Sequence, residues 1–318
     1  MMKALVVANR SVTLQNDLPV PTLKSNEVLV KIHYASVNSF DLETIEGKND
    51  MLGKLMGAKK HPVQTGLEFA GVVETDGKRF KKGDRVYGYP HLTKGMKAHQ
   101  EYLAINEDFL ALMPPALGFA ESAALPLGAL TTLVGLESVG KIGPGAKVLI
   151  VGAAGGLGVY AVQIARIFKA EITAVAGPGQ EDFLTELGAH RVVNYKEHSL
   201  QDLADRYDII LDLTTRVKFG EIKKLLSPKG VFVPANPFNQ LSGLLGNAFR
   251  KQKTGWLMVD RGDHDQLTRI AQWVDEGKLK PIIDQIYPFA EYAEAFSKVT
   301  APGKRGRMVL QIADEETT

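Results

Sequence analysis

The sequence predicts an α/β fold in two parts, a β-rich domain over residues 1–121 and 264–318 interrupted by a doubly wound parallel-sheet domain over 122–263. Three observations predict it. Up to about residue 120 the chain runs in short stretches of Val, Ile, Tyr and Phe broken by Gly, Asp and Pro, the pattern of strands and turns. From about residue 122, strand-like runs alternate with helical patterns, the mark of β-α-β units on a parallel sheet. Between one such run and its helix stands Gly152-Ala153-Ala154-Gly155-Gly156-Leu157-Gly158, with four glycines in seven residues. A length of 318 residues suits about two domains, and a hydrophobic fraction of 45% suffices for sizeable cores.

In chain order, EVLVKIHYASVN (27–38), TGLEFAGVVETDG (65–77), KGDRVYGYP (82–90) and HQEYLAIN (99–106) supply the strands of a small barrel or sandwich. The parallel sheet takes KVLIV (147–151), EITAV (171–175), RVV (191–193), DIILDL (208–213) and GVFVP (230–234). The helix after the glycine turn is expected to bury Leu157, Ala161, Ile164, Ala165 and Phe168 on one face. The prolines of GVFVPANP place that strand at the sheet edge. FNQLSGLLGNAFRKQKTG (238–255) fits no element. After about 263, the amphipathic DQLTRIAQWVDEG, then KPIIDQIYPF, AEYAEAFSKV and RMVLQI return to the first domain, and ADEETT is a frayed tail.

Composition excludes several function classes. A formal net charge of +2 gives no field that recruits nucleic acid or an anionic membrane. With no cysteine there are no disulfides, thiolate nucleophiles or sulfur-ligated zinc. No apolar run reaches the roughly 18 residues of a membrane span, and the apolar run in MMKALVVANR is too short for a secretion signal. The expectation is a cytoplasmic protein that binds neither nucleic acid nor membrane.

Aligned on the G-x-G-x-x-G fingerprint, the turn reads Ala153-x-Gly155-x-x-Gly158, with alanine in the first place. Gly155 lets the backbone approach a pyrophosphate, Gly158 lets the helix pack on the strand, and the amides around Ala154, Gly156 and Leu157 face the negative charge. No Gly-Lys-Ser/Thr follows, which argues against an NTPase phosphate loop. EITAVAG ends in Ala176 and Gly177, where a methyltransferase needs a carboxylate for ribose. A carboxylate about 20 residues past the glycines also holds the 2′-hydroxyl of NAD and repels the 2′-phosphate of NADP. Gly177 leaves that place without charge, which favours NADP, whereas Glu181 and Asp182 just beyond oppose it. A like charge a few ångströms from a phosphate costs on the order of 1 to 4 kcal/mol near a surface. NADP is expected over NAD, with NAD left open.

Several segments together resemble the quinone-oxidoreductase branch of the medium-chain dehydrogenase/reductase superfamily, which includes zeta-crystallin and plant-type enone reductases. They are VNSFDLETIEG, GLEFAGVVE, FKKGDRVYGY, AALPLGALTTLVGL, VGAAGGLGVYAVQIAR, LGAHRVVNY, EGKLKPIID and KRGRMVLQI, spread over nearly the whole chain. The resemblance implies a GroES-like catalytic domain interrupted by a Rossmann domain, with the nicotinamide in the cleft between them. Zinc-dependent relatives ligate their metal through Cys, the His of Gly-His-Glu and a second Cys. The matching positions here are Asn38, Leu67 in Gly66-Leu67-Glu68, and Leu127, none of which binds zinc as thiolate or imidazole does. The histidines, His33, His61 and His99 among them, are not spaced as ligand pairs. No zinc is expected, and without a Lewis acid a conjugated acceptor is an easier substrate than an unactivated alcohol.

The resemblance also implies residue roles, each with a structural alternative. Asn38 lies near the nicotinamide ribose, or makes an Asx turn. Asp41 is a catalytic candidate or a helix cap. Thr131 lies below the nicotinamide, or bonds its own helix backbone. Tyr195 lies along the adenosine phosphate, or is a sheet-end tyrosine. Gly177 and Asn236 complete the cofactor-binding candidates with Arg305, which together with Arg307 matches a basic Arg-Gly-Lys-like segment or forms a solvated charge run. Glu181 stands where NADP-binding members carry lysine. Glu43 and Asn49 stand near the place of a cleft tyrosine, so the proton donor is unassigned. Met51, Leu52, Leu55 and Met56 line an apolar pocket or are core. Leu241, Leu244, Leu245 and Phe249 form a lid, a dimer contact or core. Glu68, in an apolar strand, needs a partner such as Arg85 or a lysine.

The reading is a zinc-independent oxidoreductase that moves a hydride from NAD(P)H to a small electrophile, a quinone or an α,β-unsaturated carbonyl, and works as a homodimer paired through the sheet edge. Its rivals are an alcohol or aldehyde oxidoreductase of the same superfamily, and a catalytically silent NADP-binding sensor or RNA-binding protein, the latter raised by the basic run Arg250 to Lys253.

Overall fold

The computed structural model describes residues 1–48, 63–92 and 96–314. Asn49, Met51, Leu52, Leu55, Met56 and His61 lie outside the described residues. The chain forms two compact units, one of Met1–Leu127, Asp260–Ala301 and Arg307–Thr318, the other of Gly128–Val259 and Pro302–Gly306.

In the first unit, β1 (Met2–Ala8), β2 (Ser11–Leu18) and β4 (Val63–Gln64) form a small sheet in the order β2-β1-β4. Among the described residues the larger sheet has the order β15-β16-β3-β5-β6-β8, with β7 also paired to β3. Its strands are β3 (Glu27–Val37), β5 (Glu68–Val73), β6 (Arg85–Gly88), β7 (Tyr102–Asn106), β8 (Leu110–Leu112), β15 (Ile283–Pro288) and β16 (Arg307–Gln311). β3 is the spine: it is β-branched and aromatic through EVLVKIHYASV, and it buries Val28, Val30 and Ile32 with Phe69, Val86, Leu103, Leu110, Met308 and Leu310. Its register sets the chemistry of its far end. Ser36 stands opposite Glu68 of β5, and Val37 opposite Met308 of β16, so Asn38 leaves the sheet between Glu68 and Arg307. The His264–Asp275 helix, capped by the Asp263 carboxylate on the Gln266 amide, buries Leu267, Ile270, Ala271 and Val274 on one stripe.

In the second unit, the parallel sheet has the order β11-β10-β9-β12-β13-β14, with β9 (Lys147–Val151), β10 (Glu171–Ala176), β11 (Arg191–Asn194), β12 (Tyr207–Asp212), β13 (Leu226–Pro234) and β14 (Lys253–Thr254). The order reverses direction at β9, the switch point beside which ligands of such sheets bind. Two expectations are corrected here. GVFVPANP is not the edge, because β14 covers Val231 and Phe232 of β13. The Gly158–Ile167 helix does not bury one face alone: every residue from Gly158 to Ala165 is buried, while Leu157 and Phe168 are partly exposed. The unplaced stretch becomes a turn (Pro237–Gln240), a short helix (Leu241–Leu245), a second turn (Gly246–Phe249) and β14. Leu245 and Phe249 are 78% and 92% exposed, and Leu241 is exposed too, so this stripe is not core. No helix among the described residues is long and apolar enough to cross a membrane.

Candidate functional site

In the second unit, β9 ends at Val151 and the chain turns at Gly152 with φ +86°, a left-handed conformation that favours glycine. A Cβ on Gly158 would fall 2.2 Å from the Gly152 carbonyl oxygen and 2.4 Å from that of Ala153, so glycine lets the helix start against the turn. A Cβ on Gly155 would meet just the Gly152 oxygen, at 3.4 Å, and otherwise stand in open space. Leu157, at the N-cap, brings no side-chain cap to the helix. Val159 N and Tyr160 N bond the Gly155 and Leu157 carbonyls at 3.2 and 3.1 Å, so the amides placed to face an anion at the positive end of the helix dipole are those of the partly exposed Gly156 and Leu157.

The Pro126–Leu133 helix approaches this turn through Gly128, where a Cβ would lie 2.6 Å from the Tyr160 ring and 3.1 Å from the Gly156 oxygen. Thr132 donates to the Gly128 carbonyl at 2.8 Å, the backbone bond considered above for its neighbour. Thr131 makes no such bond: its Oγ1 is buried with no hydrogen-bond partner.

The segment Pro302–Gly306 lies along the same turns. Gly306 N donates to the Ala154 carbonyl at 3.1 Å. Arg305 donates from Nε to Gln180 Oε1 and from a terminal nitrogen to the Gly179 carbonyl, both at 2.9 Å, with its guanidinium 4.8 Å from the Phe183 ring centroid. It is thus docked on the turn that follows β10, not part of a solvated charge run. Tyr195 is exposed at the end of β11, its hydroxyl 3.3 Å from where a Gly177 Cβ would stand. Glu181 opens the next helix (Glu181–Leu187). Gly177, Tyr195 and Arg305 therefore gather near one turn with Glu181 beside it. Asn236 lies just past β13, where its side chain accepts from Phe238 N at 3.1 Å and caps the following turn. Gln180 and Gly306 were missed by the sequence reading, since their partners lie over a hundred residues away and leave no local signal.

In the first unit, a polar cluster is buried at the end of β3. Glu68 is fully buried and ion-paired with Arg307, itself 3% exposed. Arg307 is therefore not solvated, and Glu68 is paired with it rather than with Arg85, which donates to the Leu117 carbonyl and lies over Phe119. Glu68 Oε1 also accepts from Asn38 Nδ2 at 3.4 Å, and Oε2 from Leu127 N at 2.7 Å. Asn38 does not cap the Ser39–Ile45 helix with its side chain. Asp41 has the capping role: its oxygens accept from Asn38 N at 2.8 Å and Gly66 N at 2.7 Å, and it is fully buried. Burial raises its pKa above 3.8, while His99, the two amides and Arg307 act against the rise. His99 Nε2 donates to the Ser36 carbonyl at 3.0 Å and its Nδ1 accepts from the Thr65 hydroxyl at 2.8 Å, the partners of a neutral imidazole. Burial accordingly lowers its pKa.

At the three positions that match zinc ligands stand a carboxamide held by Glu68 and two leucines, a donor set that does not suit zinc. Among the described residues no group of three or more His, Cys, Asp or Glu is arranged to hold a metal ion. The basic run is turned onto its own chain, with Arg250 3.8 Å above the Phe219 ring and bonded to the Gly243 carbonyl, and Lys253 Nζ on the Arg250 carbonyl at 2.6 Å.

Comparison with known proteins agrees with this geometry. The family described as Alcohol dehydrogenase GroES-like domain matches residues 24–134, and the one described as Zinc-binding dehydrogenase matches residues 187–310. The chain is 32% identical over 311 residues to a 2-methylene-furan-3-one reductase of Solanum lycopersicum, covering 93% of this chain and 74% of that protein. It is 29% identical over 311 residues to an NADPH-dependent alkenal/one oxidoreductase, chloroplastic, of Arabidopsis thaliana, covering 93% and 75%. Its fold is similar to that of a quinone oxidoreductase from Coxiella burnetii, with a TM-score of 0.88, 26% identity, and 98% and 99% of the two chains covered.

Proposed function

From the premise that this chain belongs to the medium-chain dehydrogenase/reductase superfamily, we propose that it is an NAD(P)H-dependent oxidoreductase acting on quinones or α,β-unsaturated carbonyls. The observation that carries the reading is the glycine turn: an uncapped helix start, open space at Gly155 and a buried, unpartnered Thr131 hydroxyl. These residues fit a nicotinamide dinucleotide, which when bound in its reduced form supplies the hydride. The amides of Ala154 to Leu157 would hold the pyrophosphate, and Thr131 would donate to or accept from the nicotinamide carboxamide. Arg305, Tyr195 and the side-chain-free Gly177 favour the 2′-phosphate of NADP, against the charge of Glu181. With Asp41 held by backbone amides, no carboxylate is assigned to proton delivery.

The enzyme is zinc-independent in this reading, because Leu67 and Leu127 offer no donor and the chain has no cysteine. Two copies pair through the outer edge of β14 and the exposed Leu241, Leu245 and Phe249 beside it. The test follows oxidation of NADPH and of NADH with a chelator present, across quinones, enones and simple aldehydes. Chelator-resistant reduction of the conjugated acceptors alone is expected. Activity that chelator removes and zinc restores would point instead to an alcohol or aldehyde oxidoreductase, and tight cofactor binding without turnover to a sensor.

A further inference from the structure

Gln180 stands at the start of the Glu181–Leu187 helix, yet its side chain makes no cap there. It is 5% exposed, and a buried carboxamide needs partners for both of its ends. It finds them over a hundred residues away: Nε2 donates to the Gly303 carbonyl at 3.4 Å, and Oε1 accepts from Arg305 Nε at 2.9 Å. The Gly179 carbonyl accepts from a terminal nitrogen of Arg305 at 2.9 Å, and the guanidinium carbon sits 4.8 Å from the Phe183 ring centroid. The planar guanidinium is thus held along one edge and against a ring. Both acceptors are neutral, so neither bond cancels its charge.

The charge is held where a parallel sheet of this kind sorts dinucleotides. β10 neighbours β9, the strand of the glycine turn, and Gly177 directly follows β10, the position at which a dinucleotide's ribose 2′ end meets the protein. Gly306, one residue past Arg305, bonds the Ala154 carbonyl of the glycine turn. Gln180, Arg305 and both turns belong to the second unit. Left to itself, so long a cationic side chain would be drawn to the Glu181 carboxylate as readily as to a phosphate. We propose that Gln180 is a positioning residue that sets the preference for NADPH, by fixing the Arg305 guanidinium on the turn after β10 so that its charge serves the 2′-phosphate; this rests on the cofactor reading above. A Gln180 that merely tied Pro302–Gly306 down would affect NADPH and NADH alike.

The test measures binding of NADPH and of NADH to the full chain by nucleotide fluorescence, with thermal melts to show that each variant folds. Gln180→Leu should weaken NADPH about tenfold, the loss of a hydrogen bond to a charged group, and leave NADH unchanged. Arg305→Leu should weaken NADPH at least as much, again without touching NADH. Gln180→Leu added to Arg305→Leu should cost nothing further, because Gln180 acts through Arg305. An equal loss for the two nucleotides, an unchanged ratio between them, or additive losses in the double variant would overturn the proposal and leave the dinucleotide site standing. If Gln180→Leu does not fold, Arg305→Lys, at an exposed position, keeps the charge and loses the Nε bond. It should weaken NADPH several-fold and spare NADH, and undiminished NADPH affinity overturns the proposal. If the unaltered protein binds neither nucleotide, the cofactor reading itself falls and takes the proposal with it.

Discussion

A buried hydroxyl without a partner costs about 1 to 3 kcal/mol, and Thr131 carries that cost while Thr132 one position on does not. Thr131→Val should therefore leave the melting temperature unchanged or higher while weakening NADPH binding about tenfold, read by thermal melts and a fluorescence titration. A lower melting temperature with unchanged binding would assign Thr131 to the core. His99 allows a second prediction. Burial lowers its pKa below the ordinary 6.5, so the unfolded chain binds the proton more readily than the folded one. The stability that His99 contributes is present above about pH 6.5 and is lost as pH falls below it. Asp41, raised above 3.8 by burial, has the opposite sign and is relieved by acid. The gap in melting temperature between the unaltered protein and His99→Gln should accordingly shrink from pH 7.5 to 5.5, whatever Asp41 adds to both. At this scale the resemblance picked out Asn38 and Thr131, but the Glu68 and Arg307 pair was illegible. Their contact is made by the register of β5 and β16 on β3, and no local spacing encodes that register.

The turn after β10 shows what an element can decide that a single residue cannot. Arg305, Tyr195 and Gly177 favour a phosphate there, and Glu181, on the helix that opens beside it, opposes one. Glu181→Lys should raise the ratio of NADPH to NADH affinity by about tenfold or more, since removing a like charge and adding an opposite one are each worth on the order of 1 kcal/mol near a surface. An unchanged ratio would place the 2′-phosphate away from this turn. The five main strands of this sheet were legible because apolar β-branched runs between helical patterns leave few other readings. β14 was not, since a strand of Lys253 and Thr254 has no periodicity to detect. The prolines of GVFVPANP misled for a physical reason: β14 bonds just Val231 and Phe232, so Pro234 lies outside that ladder and Pro237 lies past the strand, in the turn that follows it.

For the whole molecule, the two-part organisation was readable from the change of pattern along the chain, whereas the five residues that return to the second unit were not. Pro302–Gly306 is too short to carry a pattern and is assigned by Gly306 on Ala154 and Arg305 on Gly179. The outer edge of β14 and the exposed hydrophobic residues beside it are the basis of the proposed pairing of two copies. Light scattering at micromolar concentration should give twice the mass of one chain, and Leu245→Asp with Phe249→Asp should halve it without lowering cofactor affinity. A single-chain mass for the unaltered protein would overturn the pairing. The late return of Pro302–Gly306 also sets a schedule for biosynthesis. Domains emerging from a ribosome generally fold as they become complete, the N-terminal one first at about 5 to 20 residues per second. Neither unit here is complete in that sense until the chain has passed Pro302–Gly306 and β16. Arg305, Gly306 and Arg307 leave the exit tunnel long after Glu68 and Ala154, so until then the nascent protein holds Glu68 without its counter-ion and the glycine turn without the Gly306 bond. A ribosome stalled before Gly306 would therefore carry a chain in which the Ala154 carbonyl and the Glu68 carboxylate both lack partners they have in the folded protein.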